Sequence, residues 1–463
     1  MTPTETPTHA ELRQEADALI KEIYGVNLRG QANGFYVTLQ LLAVIWGIEN
    51  TDGEELFRHI DEDAPLRFTQ RTHDFVRRLL NGEDQEIGQS RRDTVSQDSE
   101  TLRVLAKVFS ALTVKFDFSK GGYSNKRHLE PYLGQLIHHD YAKRPKNPLA
   151  VEEIVHERVF YRGGGTLIYE LLRTDPDEER RENIKNGLRA LVTDSEDALG
   201  KAAQILHTAD AQEIRVFEDK DLEPHVSSRD SMWVDEIRSG TARILGADTP
   251  RSLKVDHLMH WLPYGLARHM LEQAFAVLDK PVPPIPIDIC AGKVLRRGSQ
   301  QGFSQGRNSI RMAIIEKAGE GTPSEKRRRL NQEDFPHRTS GANVETTLGA
   351  MGDFFSTTMA CVGALNHNTG LRHYTLKLPL LEAIVYATVD SGEPVPFDDF
   401  CSEILFRRLG LVVDPHSGQK AGVTAWVDNE DLEVNAKGLA DRLESLGLIT
   451  SFSDATKMVG PRL

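Results

Sequence analysis

The sequence predicts a mainly α protein of α+β character: a helical N-terminal body, a mixed middle region and a C-terminal winged helix. Three observations predict it. Apolar residues recur at helical spacing through most of residues 1–210. Proline-rich and strand-like stretches interrupt residues 211–345. Residues 346–463 hold one more helix and then, from about 376, three helices followed by two short strands, the layout of a winged helix.

The N-terminal body is justified element by element. "ELRQEADALIKEIYG" has a helical apolar period and stops at Gly25. Gln31 to Ile48 reads as a buried helix. Its apolar run, "FYVTLQLLAVIWGI", is too short to span a bilayer. "RFTQRTHDFVRRLLNG" predicts an amphipathic helix ending at Gly82. Thr101 to Phe118 predicts another helix, and "GGYSNKRHLEPYLGQLIHH" predicts a glycine turn and then a helix capped at Ser124 or Asn125. "YRGGGTLIYELL" runs through a glycine turn into a helix, and Glu178 to Ala209 carries the helical period in two parts.

In the middle region "EIRVF" (Glu213–Phe217) is a strand candidate. "KVDHLMHWLPYGLARHMLEQAFAVLDK" predicts a long helix that Pro263 kinks or breaks. "PVPPIPIDIC" is extended, because proline disfavours helix at itself and at the residue before it. A polar, basic loop is predicted over 293–345, with a helix beginning only near Ile310, followed by a helix from about Val344 to Leu365. The tail then predicts helices at "LPLLEAIVYATVD", "PFDDFCSEILFRRLG" and "VNAKGLADRLESLGL", and strands at "LVVDP", "ITSFS" and "TKMVGP".

Charge narrows the function. The 463 residues carry a formal net charge of −13, so nucleic acid cannot be held by the surface as a whole. Cations are concentrated between Lys293 and Arg329, where ten Lys/Arg (Lys293, Arg296, Arg297, Arg307, Arg311, Lys317, Lys326, Arg327, Arg328, Arg329) face three acids. Arginine forks suit phosphate oxygens, and Gly298, Gly302 and Gly306 would permit close backbone approach. A helix start near Asn308 or Ser309 would add unpaired N–H groups, and Phe303 could stack on a base. Lys293, Arg296, Arg297, Phe303, Arg307, Arg311 and Lys326 to Arg329 are therefore the candidate phosphate-binding residues; the rival reading is a solvated loop whose cations pair with the acidic body. The winged-helix tail differs in sign. Pro379 to Leu463 holds seven Lys/Arg against fourteen Asp/Glu, which argues for protein contact or an architectural role over a DNA groove.

No catalytic motif names a reaction. "EDK" (Glu218, Asp219, Lys220) after a strand suits a metal nuclease only if a second acid ends a neighbouring strand. His257 and His260 share a helix face without an evident third ligand. Gly163 to Gly165 lack the lysine and hydroxyl of a P-loop. His367 and His373 in "LNHNTGLRHY" lack the hairpin of a His-Asn-His nuclease. Cys290, Cys361 and Cys401 form neither a disulfide framework nor a zinc spacing. No cofactor motif stands out. The polar N-terminus "MTPTETPTHA" is not a signal peptide, and a cytoplasmic location is the expectation.

The residues "PFDDFCSEILFRRLGLVV", "NAKGLADRLESLGLI" and "SDATKMVGP" make the tail, about a fifth of the chain, similar to the winged-helix ends of accessory proteins in bacterial multi-gene DNA-modification and phage-defence clusters. The resemblance implies a non-catalytic accessory or adaptor subunit whose partners, an ATPase, methyltransferase or nuclease, carry out the chemistry. With the basic segment, it yields an adaptor that acts through protein contacts and a local nucleic-acid contact. The rivals are a winged-helix DNA-binding regulator, using Arg407, Arg408, Lys437 and Arg442, and a metal nuclease using Glu218 and Lys220.

Overall fold

Helices dominate the computed structural model, which describes residues 9–28, 34–58, 67–71, 99–114, 128–138, 142–143, 155–156, 164–210, 215–218, 231–290, 292–318, 344–366, 371–453 and 456–462. The protein is mainly α, as the periodicity requires. The chain divides into two units, one of 36–223 with 250–255, the other of 1–35, 224–249 and 256–463. Among the described residues no helix is long and apolar enough to cross a membrane.

In the first of these units, α2 (Phe35–Glu49) is buried from Tyr36 to Ile48. It is followed by β1 (Arg67–Gln70) and α3 (Ser99–Ala111), and the two-residue strands β2 (Ala142–Lys143) and β3 (Val155–His156) pair with each other. Then come α4 (Gly164–Arg173), α5 (Glu178–Val192), α6 (Ala198–Asp210) and β4 (Arg215–Glu218). Two predicted helices are corrected here. "RFTQ" is not helical: β1 pairs antiparallel with β4, Phe68 opposite Phe217 and Thr69 opposite Val216, a pairing of β-formers that local helical periodicity conceals. Residues 128–138 hold only a 3-10 turn at Gly134–Leu136, since Pro131 and Gly134 interrupt the helical pattern. The buried Arg71 donates to the carbonyls of Ile137 (Nε to O, 3.0 Å) and Gly134, satisfying that turn from outside.

The other unit contains α1 (His9–Tyr24), α7 (Met232–Gly246), α8 (Arg251–Val277), β5 (Ile285–Pro286), α9 (Lys293–Lys317) and α10 (Val344–Cys361). The tail follows with α11 (Leu378–Thr388), β6 (Val395–Pro396) and a helix that opens as α12 (Phe397–Asp399) and continues as a π-helix over Phe400–Arg408. It ends with β7 (Leu411–Val412), α13 (Pro415–Lys420), α14 (Asn429–Ser445), β8 (Ile449–Ser453) and β9 (Thr456–Val459). Helix α8, whose first turn belongs to the other unit, is not broken at Pro263. Interior proline costs a helix about 3 kcal/mol, but Leu258, Trp261, Leu262, Leu266, Met270 and Leu271 are all buried around it, and that packing outweighs the loss.

The predicted loop is also corrected. Residues 293–317 form one 25-residue helix, capped by the backbone of Gly292. Its buried residues, Leu295, Ser299, Phe303, Gly306, Ile310, Ala313 and Ile314, line one side of a helix that packs on α1 and α10 and, at Leu295, on Val412, Val423 and Leu432. The Tyr24 hydroxyl donates to the Ile310 carbonyl at 2.7 Å, and Lys317 pairs with Glu22 at 2.8 Å. Composition obscured this pattern, because serine and glycine occupy inward positions.

In the tail β9 lies between β6 and β8, all antiparallel, while β7 pairs in parallel with β5. Gly410, with φ at +67°, ends the π-helix and turns the chain into β7. Helix α11 packs on α7 and α14.

Candidate nucleic-acid interface

Helix α9 turns one side inward and leaves a basic side to solvent. Lys293, Arg296, Arg297 and Arg307 are exposed, Gln301, Ser304 and Asn308 are exposed among them, and Arg311 is half-buried. No acid occurs on the helix before Glu316. Lys293 and Arg297 form no ion pair among the described residues. Two of the candidate arginines are paired. Arg296 Nε is 2.7 Å from Asp288 Oδ2, and Arg307 Nη2 is 2.7 Å from Asp353 Oδ1. Asp288 is buried between Arg296 and His373, whose Nε2 lies 3.3 Å from the same oxygen. Asp353 is about half exposed, so solvent screens its hold on Arg307.

Other candidates move or leave the site. Phe303 is a core residue, stacked on Phe355 at 6.2 Å between centroids and edge-on to Tyr374 at 5.8 Å, so no base can reach it. The three glycines face protein, not phosphate. A side-chain carbon at Gly298 would collide with the Trp426 indole, and at Gly306 it would come 3.1 Å from Leu271. Gly298 and Gly306 trade helix propensity for close packing, while Gly302 has only Pro286 Cδ at 3.9 Å from where a side-chain carbon would be. Asn308 and Ser309 lie mid-helix and cap nothing. Lys326, Arg327, Arg328 and Arg329 lie outside the described residues.

Two neighbours escaped the sequence reading. Arg372 sits 5.8 Å from the Phe303 ring; burial first, then the nearby Arg307, lowers its pKa, with Asp353 opposing. Trp426 leaves 43% of itself exposed above Gly298. Neither has a sequence signal, since both reach α9 from segments more than fifty residues downstream of their neighbours.

Three arginines of the tail are held by their own protein. Arg408 grips Glu236 through Nε at 3.0 Å and Nη2 at 2.7 Å. Arg407 pairs with Glu403 at 3.0 Å, and Arg442 donates to the carbonyls of Leu376 and, at 2.9 Å, Ile289. The buried Asn435 of α14 accepts from the Ile289 N–H at 2.7 Å and donates to the carbonyls of Ile287 and Val413 at 3.0 and 2.9 Å.

Among the described residues no group of three or more His, Cys, Asp or Glu is placed to hold a metal. His257 faces Glu382 at 3.9 Å and stacks on Tyr386, whereas His260 Nδ1 lies 3.0 Å from the Val362 carbonyl; they share no ligand. Glu218 lies opposite Arg67 in the ladder, and β1, "RFTQ", offers no carboxylate to pair with it; Asp219 and Lys220 lie outside the described residues. The glycine turn before α4 packs on α2, where the Gly165 N–H donates to Gln40 Oε1 at 2.8 Å. His367 lies outside the described residues and His373 serves Asp288.

No family model, no curated protein and no solved structure matches the chain.

Proposed function

We propose that the protein is a non-catalytic accessory subunit of a DNA-handling assembly that touches the nucleic-acid backbone through α9. The observation that carries this reading is the exposed row Lys293, Arg296, Arg297 and Arg307 on a helix without a carboxylate before Glu316, in a chain of net charge −13. Phosphate contacts supply most sequence-independent affinity, and a rigid helix presents guanidinium groups at less entropic cost than a loop. Trp426, exposed beside Gly298, offers a ring for stacking that Phe303 cannot.

We read the tail as a winged helix. The strand order β6-β9-β8 and three of the tail's four helices before β8, namely α11, α12 with its π extension, and α14, support that reading. Its third helix, α14, keeps Arg442 and Asn435 turned to its own protein. This favours an adaptor over the regulator whose affinity would come from Arg407, Arg408, Lys437 and Arg442. The anti-phage setting and the ATPase, methyltransferase or nuclease partners rest on the tail's likeness to such accessory proteins, and the cytoplasmic location on the polar N-terminus "MTPTETPTHA".

The test is duplex binding by fluorescence anisotropy over a salt series. Replacing Lys293, Arg297, Arg307 and Arg311 with glutamine is expected to weaken binding and to flatten the plot of log affinity against log salt by about three and a half units. Replacing Arg407 and Lys437 is expected to leave the slope unchanged. A slope that survives the α9 substitutions overturns the reading.

A further inference from the structure

We propose that Arg268, Tyr264 and Tyr374 form an internal binding site for a small oxyanion, a phosphate or a carboxylate group. Arg268 is 2% exposed, yet its Nε and Nη1 have no hydrogen-bond partner. Its Nη2 lies against Gly410, 3.4 Å from where a side-chain carbon would begin. The Tyr374 hydroxyl, 1% exposed, is also without a partner, and the Tyr264 hydroxyl, equally buried, has no neighbour to bond except Arg268 itself. The three groups are near neighbours: Arg268 acts electrostatically on both phenols, and Tyr264 acts on Tyr374. Burial raises the pKa of both phenols, so both hydroxyls keep their protons and remain available as donors.

The charge is what requires an anion. A buried guanidinium without a counter-ion costs several kcal/mol. No carboxylate pairs with Arg268 among the described residues. Glu272, one turn along α8, instead accepts from the N–H groups of Met232 and Trp233, at 3.1 and 3.3 Å. The Trp233 ring, 4.8 Å from the guanidinium carbon, supplies a cation–π contact that offsets part of the cost but accepts no N–H. Enclosed water could take hydrogen bonds but carries no charge. An oxyanion does both, and a forked guanidinium with two phenols is a donor set that matches its oxygens. This site is separate from the α9 surface, and its fate is independent of that reading.

The test uses the full chain. Purified protein is denatured and the released anions are identified by ion chromatography. In parallel the Tm is followed in inorganic phosphate and in acetate, against chloride at matched ionic strength. The expected result is either about one anion released per chain or a Tm rise of about 2 °C or more with phosphate or acetate. The responding arm then identifies the source. Arg268→Met is expected to abolish both signals, and Tyr264→Phe with Tyr374→Phe, which leaves the packing intact, to reduce them. Arg297→Gln with Arg311→Gln is expected to leave them unchanged. The proposal is overturned if no anion is released and neither probe raises the Tm. It is also overturned if Arg268→Met keeps the response, or if the α9 pair removes it.

Discussion

Arg408 holds Glu236 through two parallel contacts of 3.0 and 2.7 Å, with the carboxylate side chain only 11% exposed. A residue that in isolation reads as a DNA-facing cation is a strut between α7 and the end of the π-helix. It also donates to the Thr388 carbonyl at 3.3 Å. Arg408→Ala is therefore expected to lower stability by about 1–3 kcal/mol, since it strands a largely buried carboxylate. Duplex affinity should stay at the wild-type value. Urea denaturation and anisotropy on the same variant check both outcomes.

Asn435 makes the same point more sharply. Its side chain is fully buried and satisfies an N–H and two carbonyls on two strand-like segments, 287–289 and 413. Leucine shares the branched outline and has no polar atoms, so Asn435→Leu would leave those backbone groups unpaired. At about 1–3 kcal/mol for each buried group, the loss should be at least about 3 kcal/mol. It is read as a drop in the urea midpoint at constant m.

These two residues also show where sequence reasoning stops. The helices of the tail and the strands after them were legible because their periods are local and strong, as in Leu439 and Leu443 on α14. Gly410 and Gly25 mark helix ends and adopt the positive φ that their positions suggested. The part of α9 before Ile310 reads as loop because its inward stripe is written in Ser299 and Gly306, whose partners Tyr374 and Leu271 come from elsewhere in the chain. The cations of α9 were legible as a cluster. Their division into paired Arg296 and Arg307 and unpaired Lys293 and Arg297 depends on Asp288 and Asp353, which approach from elsewhere in the chain.

His269 should make the protein sensitive to mild acid. Burial pushes its pKa down from 6.5 to about 4, and its Nδ1 lies 3.2 Å from Ser231 Oγ, the residue that caps α7. The folded state thus binds fewer protons than the unfolded state between those values. The stabilisation from keeping His269 neutral is complete above about pH 6.5 and is lost as pH falls through about 4. The contribution is roughly 3 kcal/mol. His260 is depressed to about 4 by the same cause and titrates in the same window, so His269→Gln should flatten the acid limb of the stability profile by about half. Tm measured from pH 7 to pH 4 on both proteins decides it.

The two paired arginines of α9 should respond in opposite ways to loss of their acids. Asp353 is 54% exposed and holds Arg307 in a screened ion pair, which stabilises the fold by about 1 kcal/mol or less. A phosphate that competes for Arg307 must first displace that carboxylate and is repelled by its charge. Asp353→Asn removes both obstacles, so it should tighten duplex binding by about two- to fivefold, steepen the salt dependence and leave the Tm nearly unchanged. Asp288 lies on the other side of the balance. It is 2% exposed and is shared by Arg296, half-exposed, and His373, so Asp288→Asn gives up one contact to each. That variant should lose about 2–4 kcal/mol of stability, and any gain in binding should be masked by unfolding. Anisotropy titrations of Asp353→Asn and Asp288→Asn, each paired with a melting curve, separate the two. A decline in affinity on replacing Asp353 would mean that Arg307 serves the fold and not a polyanion.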